Sequence, residues 1–293
     1  VTRICDYEDS KYRQEFWEGQ GREYEDLVER IALRAMLPPT GDTLIEIGAG
    51  YGRLAPLYDG FRRVVLVDYA RTQLEEAQRY LSHPERYTLV VADIYSLPFV
   101  DSLFDALTMI RVMHHLADVP AALSELQRVI KPDGAAILEY ANKRNLKSIG
   151  RWLLRRQAWS PFDPSPLEFV EMNFDFHPQW MKDQFKAAGL QVQTQRSVSH
   201  FRLPLLKRSI PAKWLASIDG LIQPTGSCMQ LSPSTITHAR AQKTAAAMTP
   251  HFFRCPACHG VDLVTIGQHL VCQGCDRHWD TTGGIYGFRS SQT

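Results

Sequence analysis

Two constellations in this 293-residue sequence could do chemistry. The first is a glycine turn, Leu44-Ile45-Glu46-Ile47-Gly48-Ala49-Gly50-Tyr51-Gly52, where a β-rich run enters a tight turn and a helix is expected behind it. Glycines at 48, 50 and 52 let the backbone turn sharply and approach a ligand where any Cβ would collide. A dinucleotide fold holds a pyrophosphate on the following helix and places its third glycine one position later, where this chain has Arg53. Glu46, just ahead of the turn, would repel a pyrophosphate, so the turn favours a cationic, phosphate-free nucleoside. Two more carboxylates end later β-rich runs. Asp68 follows Val64–Val67, twenty residues beyond Gly48, where it can accept both ribose hydroxyls. Asp93 follows Thr88–Ala92, where it can take an adenine amino group while Ile94 packs on the ring.

The second constellation is Cys255-Pro256-Ala257-Cys258 with Cys272-Gln273-Gly274-Cys275, two close pairs separated by thirteen residues. Two thiolates from each pair complete a closed tetrahedron around zinc and leave no open coordination position for catalysis. Gly274 is expected to relieve the turn beneath the second pair, and Leu263–Ile266 with His269–Val271 to form a hairpin around Gly267. His259 or His278 could replace a cysteine, though neither is needed. About forty residues bury too little core to fold alone, so metal would supply the folding energy. Cys5 and Cys228 read as ordinary thiols.

These positions need a scaffold. Residues 12–37 carry Phe16, Trp17, Tyr24, Leu27, Ile31 and Leu33 at helical spacing, and Pro38-Pro39 ends them. Beyond them, Thr43–Ile47, Val64–Val67, Thr88–Ala92, Ala106–Ile110 and Ala135–Tyr140 alternate with helical stretches, which implies parallel strands joined by crossover helices. Residues 143–176 show no clear period. Pro178 opens a helix that Gly189 closes, a strand follows at Leu190–Val198, and another lies near Thr235–Ala239. The expectation is an α/β fold: a doubly wound, Rossmann-like, seven-stranded and mostly parallel sheet with a small β-rich unit at the C-terminus. Residues 1–250 form the first domain, with a substrate lid within 143–240; 241–250 read as a linker and 251–293 as the metal unit.

Composition sets limits. Lys plus Arg number 33 against 32 Asp plus Glu, so no bulk charge drives the chain toward nucleic acid or an anionic membrane. An apolar fraction of 44% suits a well-buried core. The opening residues do not follow the order of a secretory signal, no apolar run approaches a membrane span, and the paired cysteines suit a reducing compartment. A cytoplasmic protein is expected.

Glu46-Ile47-Gly48-Ala49-Gly50-Tyr51-Gly52, Val67-Asp68, Ala92-Asp93-Ile94 with Leu97-Pro98-Phe99, Phe104-Asp105-Ala106 and Arg128-Val129-Ile130-Lys131-Pro132-Asp133-Gly134 occur in that order. Together they resemble the class I S-adenosylmethionine-dependent methyltransferases, particularly the branch that includes the quinone-biosynthesis methyltransferases, over residues 40–145. The resemblance implies S-adenosylmethionine as cofactor. Glu46, Gly48, Ala49, Gly50 and Gly52 would then form its methionine-side turn, Asp68 would hold the ribose, Asp93 and Ile94 the adenine, and Tyr69 would lie against the purine face. Arg111 would line the methionine or substrate side. Asp133 departs from the glycine usual at that turn. Residues 252–289, through Trp279-Asp280 and Gly284-Ile285-Tyr286-Gly287-Phe288, resemble the zinc ribbon of the tRNA-methyltransferase activator family, without the proline usual near the last strand. In that family the ribbon is a separate activating partner. Here the resemblance leaves two roles open, action in cis and a structural plug.

A sulfonium methyl is already activated, so such an enzyme mainly brings a nucleophile in line and excludes water. His114 and His115, just after the fourth strand, are the first positions for a general base, and Glu139 and Tyr140 end the fifth strand facing the same mouth. Ile110-Arg111-Val112-Met113 lacks the Asn-Pro-Pro-aromatic signature of base-amine methylation, and no cysteine lies nearby in sequence to attack a pyrimidine. Between Lys143 and Arg156 lie six basic residues and no acidic one, a segment suited to a membrane surface, RNA phosphates or plain solvent. The leading expectation is methyl transfer to a small or lipophilic acceptor at oxygen, carbon or nitrogen. The alternatives are a tRNA or rRNA methyltransferase, a cofactor-binding regulator without an acceptor site, a nicotinamide oxidoreductase, or a structural domain whose glycines serve turns.

Overall fold

The computed structural model describes residues 3–244 and 249–289. Part of the expected linker, 245–248, therefore lies outside the described residues. In chain order the elements are α1 (Tyr12–Phe16), α2 (Glu23–Met36), β1 (Gly41–Ile47), β2 (Phe61–Asp68), α3 (Arg71–Tyr80), β3 (Tyr87–Val91), β4 (Phe104–Met109), α4 (Val119–Val129) and β5 (Ile130–Ala141). There follow α5 (Leu146–Leu153), β6 (Leu167–Val170), β7 (Asn173–Asp175), α6 (Pro178–Ala187), β8 (Leu190–Val198), α7 (Pro204–Ser209), α8 (Ala212–Ile222) and β9 (Ser234–Ala241). The C-terminal unit adds β10 (Leu263–Ile266), β11 (His269–Cys272), β12 (His278–Asp280) and β13 (Ile285–Gly287).

Strands β3-β2-β1-β4-β5 run parallel, and β9 and β8 complete that side through antiparallel pairs. Central strands are apolar on both faces because helices cover both. Alternation sends Ile45, Ile47, Val65 and Val67 into one core with α4 and α6, while Leu44, Val64 and Leu66 enter the other with α2, α3 and α8. Asp118 accepts from the Ala121 amide at 3.0 Å and starts α4, next to a proline in its first turn.

Seven strands are predicted, and the sheet has eleven. The four extra strands belong to the C-terminal unit: Ile285, Tyr286 and Gly287 pair parallel with Leu89, Val90 and Val91. The outer edge of β3 would otherwise leave a row of backbone groups open, and β13 satisfies it. Cys255, Cys272, Trp279 and Phe288 consequently join the same apolar core as Phe99 and Phe104.

A single helix over 12–37 is also corrected. It breaks between α1 and α2, where Gly19 and Gly21 take φ values of 71° and 64°. Among the described residues, no helix is long and apolar enough to cross a membrane.

Candidate functional site

The glycine turn leaves β1 and folds back against the end of β2. Gly48 has φ 68°, and a Cβ there would stand 2.1 Å from Val112 Cγ2, so only glycine fits. The Gly50 amide donates to Asp68 Oδ2 at 2.8 Å and the Ala70 amide to Oδ1 at 3.0 Å. Each carboxylate oxygen keeps lone-pair capacity toward the pocket. Burial nevertheless pushes the Asp68 carboxyl up to about 6, against the pull of those amides. Asp93 Oδ1 accepts from the Tyr95 amide at 2.9 Å, and burial raises this carboxyl too.

No α-helix follows the turn. Residues 55–58 form one 3₁₀ turn containing Pro56, and β2 begins at Phe61. The helix expected there is absent, and with it the amide-rich helical end that a pyrophosphate needs.

Glu46, Gly48, Ala49, Gly50, Asp68, Tyr69, Asp93, Ile94 and Arg111 all line one pocket at the C-terminal ends of β1 to β4. Gly52 does not. Its φ is 77° and a Cβ would press on Leu81 at 3.1 Å, so it turns the chain away behind the wall. Glu46 is 3% exposed, and its Oε2 has no partner. Burial pushes this carboxyl up to about 8, with Arg53 opposing the shift.

The pocket's two inner guanidinium groups are both ion-paired to α2. Arg53 reaches Glu29 at 2.6 Å and also pairs with Asp26, and Arg111 pairs with Glu29 at 2.5 Å. Glu29, on α2, is fully buried and held well ionised by the two. Trp17 stacks beneath both, 3.8 Å from Arg53 and 5.0 Å from Arg111. Arg111 itself has φ 60°, a left-handed backbone fixed by its amide donating to Glu139 Oε2 at 2.5 Å.

Residues ahead of β1, which carried no motif, supply the pocket's roof: Arg3, Ile4, Cys5, Tyr7, Tyr12 and Trp17. Ile4 bridges to Leu116, and Glu8 accepts from the Arg71 and Thr72 amides at the start of α3 at 3.0 and 2.9 Å. The cluster Tyr7, Tyr12, Phe16 and Trp17 was the one available signal, an aromatic density too high for a solvated leader.

His115 lines the pocket, while His114 does not. His115 Nδ1 lies 2.9 Å from the Met172 carbonyl, so it carries the proton; Nε2, 3.2 Å from Tyr7 Oη, then accepts. Both ring nitrogens are thus engaged. Burial lowers both histidines, His114 well below the ordinary range. Tyr140 does not face the mouth as expected. Strand alternation that turns Glu139 toward Arg111 turns Tyr140 into the opposite core beside Phe185.

In the C-terminal unit, Cys255, Cys258, Cys272 and Cys275 bring their sulfurs within 4.8 Å of one another. Cys255 and Cys275 are 3.7 Å apart, and Cys258 and Cys272 3.4 Å. Zn–S bonds of about 2.3 Å require tetrahedral S···S edges near about 3.8 Å, whereas a disulfide needs about 2.05 Å. The four thiols fit zinc. Neither His259 nor His278 belongs to the cluster. The left-handed positions that shape the two turns are His259, φ 64°, and Asp276, φ 55°, each just after the second cysteine of its pair. Gly274 is not the strained position expected there, since an added Cβ would make only ordinary contacts. The unit is tied to α3 by Arg71, which pairs with Asp280 at 2.8 Å and donates to the Thr282 carbonyl at 2.6 Å.

Residues 45–138 match the profile of the family described as methyltransferase domain. A demethylmenaquinone methyltransferase of Clavibacter sepedonicus is 34% identical over 115 residues, 39% of this chain and 47% of that protein. A 2-phytyl-1,4-naphtoquinone methyltransferase of Trichormus variabilis is 34% identical over 124 residues, 39% of this chain and 54% of that protein. The chain thus spans about half the length of the curated relatives it matches. Among solved structures, a chain from the complex between the Haloferax volcanii Trm112 methyltransferase activator and a methyltransferase aligns with TM-score 0.55 and 20% identity, covering 83% of this chain and all of that one (100%). An S-adenosylmethionine-dependent methyltransferase from Mesorhizobium loti aligns with TM-score 0.53 and 18% identity, covering 74% of this chain and 99% of that one. At these identities the structures establish the fold.

Proposed function

We propose that this chain, whose residues 45–138 match the methyltransferase-domain family profile, transfers the methyl group of S-adenosylmethionine to a small or lipophilic acceptor. The single observation that carries this reading is the buried Glu46 carboxyl, whose Oε2 has no hydrogen-bond partner, in a pocket also bordered by Asp68 and Asp93. With Arg53 and Arg111 ion-paired to Glu29 on α2, and no α-helical end behind the glycine turn, the pocket favours a cationic nucleoside over a diphosphate. A nicotinamide dinucleotide does not suit it.

Bound there, the cofactor supplies a methyl group activated by its sulfonium. Glu46 would compensate the positive end, and the backbone of Gly48, Ala49 and Gly50 would border the methionine part. Asp68 would take the ribose hydroxyls, Asp93 the adenine amino group, and Ile94 and Tyr69 the ring faces. Arg111 fixes the methionine end of the pocket to Trp17 and α2. The roof of Tyr7, Tyr12 and Trp17 would shield the site from water. His115, with both nitrogens engaged, orients that roof and is not assigned as a base. Cys255, Cys258, Cys272 and Cys275 would hold a structural zinc, and the ribbon read as residues 251–293 would serve the domain of residues 1–250 in cis.

The acceptor class rests on the apolar roof and on the quinone methyltransferases among the relatives. Calorimetry with S-adenosylhomocysteine and with NADH tests the cofactor; binding of NADH alone would overturn the reading. Labelled cofactor offered together with extracted lipids, metabolites and RNA tests the acceptor. Label in the lipid or metabolite fraction is expected, and label confined to RNA would replace this acceptor by tRNA or rRNA.

A further inference from the structure

Helix α5 is packed with its apolar side outward. Asn145 caps it by accepting from the Ser148 amide at 3.0 Å, and Ser148 is its buried residue. Leu146 and Leu153 share a side seven residues apart and are 63% and 66% exposed, with Leu154 just beyond at 65%. Trp152 meets Phe162 edge-on at 5.5 Å, and Phe162 is itself 50% exposed. A helix that stabilises a core would bury the leucines and expose the serine.

Charge accompanies the exposed stripe. Lys147 and Arg151 flank it, Arg155 and Arg156 follow, and all four are exposed with no ion-pair partner among the described residues. No acidic residue occurs between Lys143 and Arg156. Of the acids in the next segment, Glu168 is already paired with Arg3 at 3.0 Å. Bulky apolar side chains bordered by free cations are what an interfacial helix presents to negatively charged headgroups.

We infer that the α5 face docks on an anionic lipid bilayer. A second copy of the chain on a twofold axis would set Lys147 and Arg151 against their own equivalents. RNA would neutralise the cations and leave Leu146, Leu153 and Trp152 in water. The bilayer satisfies both halves of the surface.

The segment after α5 also reaches the wall of the pocket. Lys143 Nζ donates to the Ser165 carbonyl at 2.6 Å, fixing the segment after α5, and the β6–β7 hairpin then brings Met172 onto His115. Phe169 and Val170 at the hairpin's end are 55% and 59% exposed. Docking through α5 would thus bring the segment that holds His115 close to the bilayer, a source of lipophilic acceptors. That consequence rests on the proposed function, whereas the docking rests on α5.

The test uses the full chain and two paired variants, Leu146→Ser with Leu153→Ser and Lys147→Glu with Arg151→Glu, in flotation with phosphatidylglycerol or phosphatidylcholine vesicles. The unmodified chain should float with phosphatidylglycerol at least tenfold more strongly than with phosphatidylcholine. Each paired variant should lose tenfold or more while binding S-adenosylhomocysteine within twofold of the unmodified chain. Absence of flotation, or flotation unchanged in both variants, would overturn the docking, as would a dimer in sedimentation that both variants dissociate. Flotation that persists without any S-adenosylhomocysteine binding would support the docking and remove the methyltransferase reading instead.

Discussion

Arg289, two residues past the last ribbon strand, lies over the ring of Tyr69 with its guanidinium carbon 4.7 Å from the centroid and Nη1 3.2 Å from the Tyr69 carbonyl. The same nitrogen reaches Asp6 at 3.3 Å and Glu8 at 3.4 Å. One side chain of the C-terminal unit therefore ties the pocket's roof to the wall that follows β2. A partly exposed cation over an aromatic ring contributes about 0.5–1 kcal/mol. Arg289→Ala should accordingly weaken S-adenosylhomocysteine two- to fivefold, by roughly that energy, with little change in the melting temperature. Calorimetry reads this directly, and unaltered affinity would separate the ribbon from the cofactor site.

Removing zinc should act far more broadly. Cys255 and Cys272 are fully buried and share a core with Phe99, Phe104 and Trp279. Zinc contributes on the order of 10 kcal/mol to the folding of isolated finger peptides, and even part of that rivals the total stability of about 5–15 kcal/mol of a domain. Chelation, or Cys272→Ser, is expected to lower the melting temperature strongly and to expose the β3 edge to hydrogen exchange. Metal analysis finding no zinc in the folded protein, or an unchanged melt after chelation, would contradict the assignment.

His115→Ala distinguishes a structural histidine from a base. Loss of a general base costs about 10²–10⁴ in rate. Here the imidazole bridges the Met172 carbonyl and the Tyr7 hydroxyl, so its loss should cost about 1–3 kcal/mol of stability and leave methyl transfer within about threefold. Turnover falling a hundredfold in a variant that still melts cooperatively would restore His115 as the base.

Much of the scaffold was legible because local chemistry and global fold agree at those positions. Ile45, Ile47, Val65 and Val67 form near-continuous apolar runs that only buried parallel strands tolerate, and Glu46, Asp68 and Asp93 mark where such strands end. The pocket's roof was not legible. Ile4 and Tyr7 are held by partners more than a hundred residues away, Leu116 and His115, and no local period records that. Glu29 reads as one more charge on an amphipathic helix until Arg53 and Arg111 close around it. The docking of the ribbon on β3 was likewise hidden, since edge pairing is set by backbone groups and leaves almost no side-chain signature. Helix α5 was hidden too: residues 143–176 show no clear period, and the helix turns its leucines away from the core.

Glu46 should make the ligand-free protein sensitive to pH in a defined direction. In the unfolded chain this carboxyl ionises near 4.5, and in the fold burial pushes it up to about 8. Between those values the native state keeps a proton that the unfolded state has released. The associated stability is full below 4.5, declines as pH rises, and has gone once pH passes about 8. At about 1.4 kcal/mol per unit the decline amounts to no more than about 5 kcal/mol. Asp68, raised from 3.8 to about 6, adds to it with the same sign. Glu46→Gln should flatten most of this slope in thermal melts taken from pH 5 to 9. A sulfonium ligand reverses the preference, because a cation beside Glu46 favours the carboxylate. Binding of S-adenosylmethionine below pH 8 should therefore release a proton, and its affinity should rise from pH 6 to 8. Calorimetry in buffers of different ionisation enthalpy measures that proton. Binding without proton release, in a protein whose melt is also flat across this range, would show that Glu46 is not the group facing the cation.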